Sequence, residues 1–143
     1  MPFRLIVPLP IYEEMVAQAL AEQPNECCGL LGGFMDICSE GSRVGRVVKR
    51  YPLVNEAKSP VEFFNGAKDL FQGTRDMRER SLDTLAVYHS HPSSPPVPSK
   101  RDRAMNWSEE VVNLIISLTT TPPTVRAWWL TEEEFQEAEW QVQ

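Results

Sequence analysis

Short apolar runs alternate along this chain with segments of helical periodicity, and this alternation limits the possible folds more than any other feature. Strands are predicted at residues 5–7, 29–34, 43–51, 84–91, 111–118 and 125–130. Helices are predicted at residues 11–23, 66–80 and 99–107, with Leu70 and Met77 facing inward from the second. Interleaved helices and strands are typical of the α/β class. We therefore expect one α/β domain over residues 1–143, with a mixed, curved sheet flanked by helices.

The charge balance and the hydropathy pattern exclude several classes of protein. Fourteen basic against twenty acidic residues give a net charge of −6, which argues against nucleic acid as the main partner. No run approaches the roughly 18 apolar residues of a membrane span, and residues 1–14 do not form a signal peptide. Three cysteines, an odd number, do not make a disulfide framework. These observations predict a cytoplasmic protein that binds neither nucleic acid nor membrane.

The acidic residues 131–143 form the end of the predicted domain. Thr131 followed by Glu134 resembles a capping box, so we expect a C-terminal helix or tail here. A solvated, partly frayed end is the simpler interpretation, and docking to a partner subunit is the alternative. The oligomeric state stays open, with a homodimer among the alternatives.

The two histidines of the sequence lie two residues apart, at the end of a predicted strand. Leu85 to Tyr88 is strand-like, His89 and His91 follow, and Pro92 ends the run. Side chains at i and i+2 of a strand point to the same face, so both imidazoles are expected to converge.

Ser99 and Asp102 follow the histidine pair after a proline-rich loop. Ser99 is a good N-cap, and its offset of three residues puts Asp102 on the same side of a first helical turn. The loop has three prolines between residues 93 and 98, so it is stiff enough to hold Asp102 beside the histidines. Two imidazoles and one carboxylate suit a catalytic zinc ion, which keeps its fourth position for water.

These residues resemble a known motif. His89-x-His91-Pro92, followed after six residues by Ser99 and after two more by Asp102, matches the JAMM (MPN+) metalloprotease motif at each fixed position. That family also has a glutamate just before a Cys-Gly-Leu-Leu-like strand, and Glu26 stands in the matching place. Weaker resemblance continues through Asn55 and residues 59–63, so the likeness runs from about residue 5 to residue 129.

The resemblance implies a fold and a role for each residue. The fold would be the JAMM/MPN, cytidine-deaminase-like arrangement. His89, His91 and Asp102 would hold Zn²⁺. Glu26 would take a proton from the zinc-bound water and pass it to the departing amine, and Ser99 would hydrogen-bond the tetrahedral oxyanion or the zinc-bound water. The chain would then be a zinc metallopeptidase that hydrolyses an amide or isopeptide bond.

The substrate is predicted by analogy with part of the family. Residues 52–63 and 106–112 are short, with little room for the insertions by which some members grip ubiquitin chains. The chain resembles the small, stand-alone prokaryotic members, which implies action at the C-terminal tail of a ubiquitin-like or sulfur-carrier protein. The alternatives are a peptidase for small peptides and a non-catalytic scaffold. A deaminase would bring a Pro-Cys-x-x-Cys pattern, which the sequence lacks.

Two further sets of residues have a simpler interpretation and a functional one. The cysteines are interpreted as small core residues, with Cys28 as a candidate for lining the pocket; they are Cys27, Cys28 and Cys38. The cations around Asp102 are interpreted as a solvated helix face, and attraction of a carboxyl-terminal tail is the alternative; they are Lys100, Arg101 and Arg103.

Overall fold

Up to residue 130, the helices and strands lie where the alternation of the sequence predicts them, with ends shifted by a few residues. The computed structural model describes residues 2–60, 67–106 and 108–143. The strands are β1 (Arg4–Val7), β2 (Cys28–Ile37), β3 (Arg43–Leu53), β4 (Asp83–His91), β5 (Val112–Ser117), β6 (Thr124–Leu130), β7 (Phe135–Glu137) and β8 (Trp140–Val142). The helices are α1 (Leu9–Ala21), α2 (Ala67–Glu79) and α3 (Lys100–Ala104). The predicted start of the second helix at Gly66, the predicted end of the third at Trp107 and the resemblance over residues 61–63 lie outside the described residues.

The described strands form one mixed sheet, in the order β7-β6-β5-β4-β2-β3-β1-β8. β1 is parallel to β3 and β8, and β4 is parallel to β5, while the other neighbouring pairs are antiparallel. The parallel pair β4 and β5 is joined through α3, so this crossover starts at the end of the strand that carries both histidines. The prediction of a mixed sheet flanked by helices is confirmed.

Each face of the sheet is covered by one of the longer helices. α1 buries Ile11, Met15 and Ala19, spaced by four residues, in the larger core cluster. On the opposite face, α2 buries Met77 above a smaller cluster that contains Leu30 and Tyr51. None of the described helices is long and apolar enough to cross a membrane.

One predicted core residue of α2 is placed differently. Leu70 is 37% exposed, so the prediction that it faces inward is wrong. The buried residues of this helix are Gly73 and Met77, which lie one turn apart. Leu70 instead lines a surface groove.

The prediction of a C-terminal helix within residues 131–143 is wrong. Residues 131–134 form a turn in which the Glu134 N–H donates to Thr131 Oγ1 at 3.1 Å, as it would in a helix cap. The chain then forms two short strands: β7 pairs with β6, and β8 pairs with β1. Only Ala138 and Glu139 separate them, so this terminal segment (residues 131–143) joins the two ends of the sheet.

Candidate metal centre

β4 delivers both imidazoles to one face of the sheet, as the two-residue spacing predicts. Val87 on this face packs against the α2-side cluster, while Tyr88 points the other way into the larger core. His89 is 2% exposed and His91 is 5% exposed. Their Nε2 atoms lie 3.1 Å apart at the carboxyl end of β4. In α/β folds, ligands bind beyond the carboxyl ends of parallel strands, and this site has that position.

α3 brings Asp102 to the same point. Ser99 is its N-cap: the Asp102 N–H donates to Ser99 Oγ at 3.0 Å, and the Ser99 N–H donates to Asp102 Oδ2 at 2.8 Å. This capping box fixes the carboxylate, which lies 3.1 Å from His89 Nε2 through Oδ1 and 3.1 Å from His91 Nε2 through Oδ2. The predicted convergence of the two histidines with Asp102 is present in the structure.

The three side chains form a group that could hold a metal ion. One ligand atom from each of His89, His91 and Asp102 lies within 4.8 Å of the others. His91 Nδ1 lies 2.8 Å from the Pro95 carbonyl oxygen, which can only accept, so Nδ1 carries the proton. In the neutral imidazole, Nε2 then has a lone pair directed at the centre of the group. Lone pairs and a carboxylate this close together favour a bound cation.

The proline-rich loop is held at three successive carbonyl groups. Ser117 Oγ donates to the Ser94 carbonyl at 2.7 Å, and Trp128 Nε1 donates to the Pro96 carbonyl at 2.9 Å. Between them, the Pro95 carbonyl accepts from His91 Nδ1. The stiffness of this loop therefore comes from Ser117 and Trp128 as well as from its prolines, and the sequence did not indicate these two residues. Neither residue is close to the loop in sequence, so no local pattern could have identified them.

The same contacts shift the ionisation of the group. Burial lowers the pKa of His91, but hydrogen bonds to Asp102 and Pro95, with the charges of Asp102 and Glu26, outweigh it and raise this pKa above its usual value. Burial raises the pKa of Asp102, but hydrogen bonds from the two imidazoles, which His91 donates through Nε2 only when it is protonated, and from the Ser99 N–H hold this pKa well below its usual range. The carboxylate is therefore ionised at neutral pH.

Glu26 lies at the same end of the sheet. Cys28 pairs with His89 across β2 and β4, and the Ser90 N–H donates to the Cys27 carbonyl at 3.1 Å, so residue 26 comes next towards His91. Glu26 is 4% exposed. Its backbone is fixed by Asn55 Nδ2, which donates to the Glu26 carbonyl at 2.9 Å. The structure thus brings a buried carboxylate into the neighbourhood of the histidines.

A groove of about 570 Å³ opens beside the group and runs between α2 and α3. His89 and Asp102 line it, and so do three exposed apolar side chains: Leu70, Phe71 and Met105, which are 37%, 65% and 55% exposed. Cys28 also lines the groove, as the alternative interpretation of the cysteines expects. An extended, partly apolar chain could reach the metal centre along this surface.

The buried cysteines also match the core interpretation. Cys27 and Cys28 are enclosed, and burial raises the pKa of the Cys27 thiol to about 12. A thiol with so high a pKa is not a nucleophile at neutral pH.

Lys100 and Arg101 are exposed, as the interpretation of a solvated helix face expects, but Arg103 is half-buried and contradicts it. Its Nε atom is buried, its Nη1 donates to the Glu133 carbonyl at 3.3 Å, and its guanidinium lies over the Phe135 ring.

Proteins with similar sequences include named peptidases. A desampylase from Pyrococcus furiosus is 26% identical over 90% of this chain and 83% of its own length. A probable TtuB-protein conjugate cleaving protease from Thermus thermophilus is 35% identical over 68% of this chain and 60% of its own length. A CysO-cysteine peptidase from Mycobacterium tuberculosis is 29% identical over 79% of this chain and 73% of its own length.

A solved structure matches the fold of this chain, and a protein family matches its sequence. The solution structure of a protein from Desulfitobacterium hafniense has a TM-score of 0.84 and 31% identity, and it covers 97% of this chain and 92% of that one. The family described as prokaryotic homologs of the JAB domain matches residues 8–131. This match spans the three residues of the metal centre and the neighbouring Glu26. The chain therefore belongs to the prokaryotic JAB family.

Proposed function

We propose that this protein is a zinc-dependent peptidase that hydrolyses the amide or isopeptide bond at the C-terminal tail of a ubiquitin-like or sulfur-carrier protein. The observation that carries the proposal is the meeting of His89, His91 and Asp102 at one end of a groove. Three protein ligands leave one coordination position open, which is typical of catalytic zinc and not of structural zinc.

The spacing of the nitrogen atoms supports zinc as the ion. Two nitrogens bound to a tetrahedral zinc at ~2.0–2.1 Å are separated by roughly 3.3 Å. The His89 and His91 Nε2 atoms lie 3.1 Å apart, so only a small adjustment is needed. When bound, zinc would polarise the substrate carbonyl and lower the pKa of a coordinated water. The Pro95 carbonyl would keep His91 in the tautomer that presents Nε2.

Glu26 would carry the proton, and Ser99 would stabilise the negative charge that develops on the substrate oxygen. Glu26 is a buried carboxylate whose charge reaches His91, and a general base needs this closeness to the attacking water. Ser99 Oγ accepts one hydrogen bond in the cap, so its O–H remains available as a donor. We propose that Glu26 moves the proton from water to the departing amine and that Ser99 donates to the oxyanion.

The proposed substrate class rests on the relatives and on the groove. All three relatives described above are named for the release of a protein or an amino acid from a conjugate or carrier. A flexible tail would fit the groove better than a folded surface, because both metal-ligating imidazoles are nearly inaccessible. Exposed apolar side chains of Leu70, Phe71 and Met105 would contact the tail. We also propose a cytoplasmic location, consistent with three free cysteines.

A cleavage assay tests this function. Small ubiquitin-like and sulfur-carrier proteins with extensions beyond their C-terminal glycine are incubated with the zinc-loaded protein, and mass spectrometry locates any cut. We expect cleavage directly after the glycine, with loss of activity in His89→Ala and on chelation. Cleavage of unstructured peptides at equal rates would contradict the carrier specificity. Cleavage that survives both His89→Ala and chelation would contradict the zinc mechanism.

A further inference from the structure

The helix that carries Asp102 has little core of its own. α3 is five residues long, and none of its residues is buried. A helix this short is not stable by itself, so contacts from outside must fix it. The capping box fixes the carboxylate relative to α3, but it does not fix α3 relative to the histidines on β4.

Arg103, the residue after Asp102, supplies such a contact. Its Nη1 donates to the Glu133 carbonyl at 3.3 Å, and its guanidinium lies 5.6 Å from the centre of the Phe135 ring. The second distance is within the range of a cation–π contact. The Arg103 Nε atom is buried and has no hydrogen-bond partner among the described residues. A guanidinium held in this way positions the helix and is not a solvated charge.

Phe135 connects this contact to the other side of the metal centre. Its ring packs edge-to-face on Trp128, with centres 5.3 Å apart. The Trp128 indole in turn donates to the Pro96 carbonyl, next to the Pro95 carbonyl that receives His91 Nδ1. The Phe135 ring thus contacts both Arg103, which follows Asp102 on α3, and Trp128, which holds the loop that binds His91.

Phe135 lies beyond the part of the chain that matches the family. The match ends at residue 131, whereas Glu133 and Phe135 belong to the terminal segment. We propose that Arg103 and Phe135 are positioning residues that set Asp102 against the two histidines, so that the terminal segment is part of the support of the metal centre. This inference rests on the metal site of the proposed function, but it does not depend on the substrate or on cleavage.

Electrostatics and positioning predict opposite effects of removing Arg103. Loss of a positive charge near a cation site strengthens metal binding if charge alone matters. Loss of a support for Asp102 weakens it, by about tenfold for a residue that orients a ligand. Arg103→Lys keeps a cation that can lie over the Phe135 ring, so it is expected to recover most of the affinity that Arg103→Ala loses.

Two variants serve as matched controls. Arg126 also contacts the aromatic pair from β6: its guanidinium lies 4.5 Å from the Trp128 ring, and its Nε donates to Glu137 on β7. Arg126→Ala therefore removes a cation from the same aromatic pair without touching α3. Lys100→Ala removes the same charge from the same helix. Neither control is expected to change the affinity for zinc by more than about twofold.

The experiment measures Zn²⁺ binding to the metal-free full chain by competition with a chelating dye, and the absorption spectrum of the Co²⁺ form. We expect Arg103→Ala and Phe135→Leu to weaken binding about tenfold, with an altered Co²⁺ spectrum. Unfolding midpoints are measured for every variant. Binding as tight in Arg103→Ala as in Lys100→Ala would overturn the inference, and so would an equal loss in Arg126→Ala. Absence of carrier cleavage would contradict the proposed function alone.

Discussion

Zinc should raise the unfolding temperature of the protein, and the loss of one imidazole should abolish this effect. The three ligands meet only in the folded chain: β4 presents His89 and His91, and α3 presents Asp102. In the unfolded chain, ten residues separate His91 from Asp102, so the unfolded state binds the ion far more weakly. A ligand that prefers the folded state stabilises it by mass action.

The size of the effect follows from the affinity. At a free zinc concentration a thousand times the dissociation constant, the free energy of unfolding increases by about 4 kcal/mol. A domain of this size gains about 3 °C in unfolding temperature for each kcal/mol. We therefore expect a rise of about 12 °C in the wild-type protein and no rise in His89→Ala.

Calorimetric unfolding in chelator and in buffered zinc checks this expectation, with Glu26→Gln as the matched control. Glu26 is a buried polar residue near the site but is not a member of the ligand group, so this variant should keep the full rise. An equal rise in His89→Ala and in the wild-type protein would refute the proposed ligand set. No rise in either protein would refute the metal site itself.

Three further outcomes are expected. Glu26→Gln should keep its zinc by elemental analysis while kcat falls by about 10²- to 10⁴-fold, and unchanged turnover would remove Glu26 from the mechanism. Phe71→Ala, at a side chain that is 65% exposed in the groove, should raise KM for a carrier substrate about tenfold with kcat unchanged. Gly33→Ala would place a Cβ inside van der Waals contact with the Arg46 carbonyl oxygen, so the free energy of unfolding should fall by about 2–3 kcal/mol in denaturant titrations. An unchanged denaturation midpoint would contradict the close pairing of β2 with β3.

The centre of the site could be predicted because its geometry is local. His89 and His91 share a face since strand side chains alternate with a period of two. Ser99 and Asp102 form a capping box since their spacing of three residues belongs to the first turn of any helix. Neither result depends on how distant parts of the chain pack.

The parts that could not be predicted depend on distant partners. Ser117, Trp128 and Arg103 act through carbonyl groups or rings that lie 23 to 32 residues away in sequence. The terminal segment shows the same limit. Thr131 does accept from the Glu134 N–H, as a helix cap would, but the open side of β6 offers hydrogen-bond partners that an isolated helix lacks. Pairing with the sheet therefore determines the outcome.

The terminal segment also affects how the molecule meets its neighbours. An uncovered outer strand displays a row of amide and carbonyl groups on which a second polypeptide can align, and this is a common start of aggregation. β6 and β1 would both display such rows, but β7 and β8 cover them. These outermost strands are only three residues long, which makes them poor templates. Removing the last dozen residues would thus expose β6 and β1 as edge strands and should make the protein prone to aggregation.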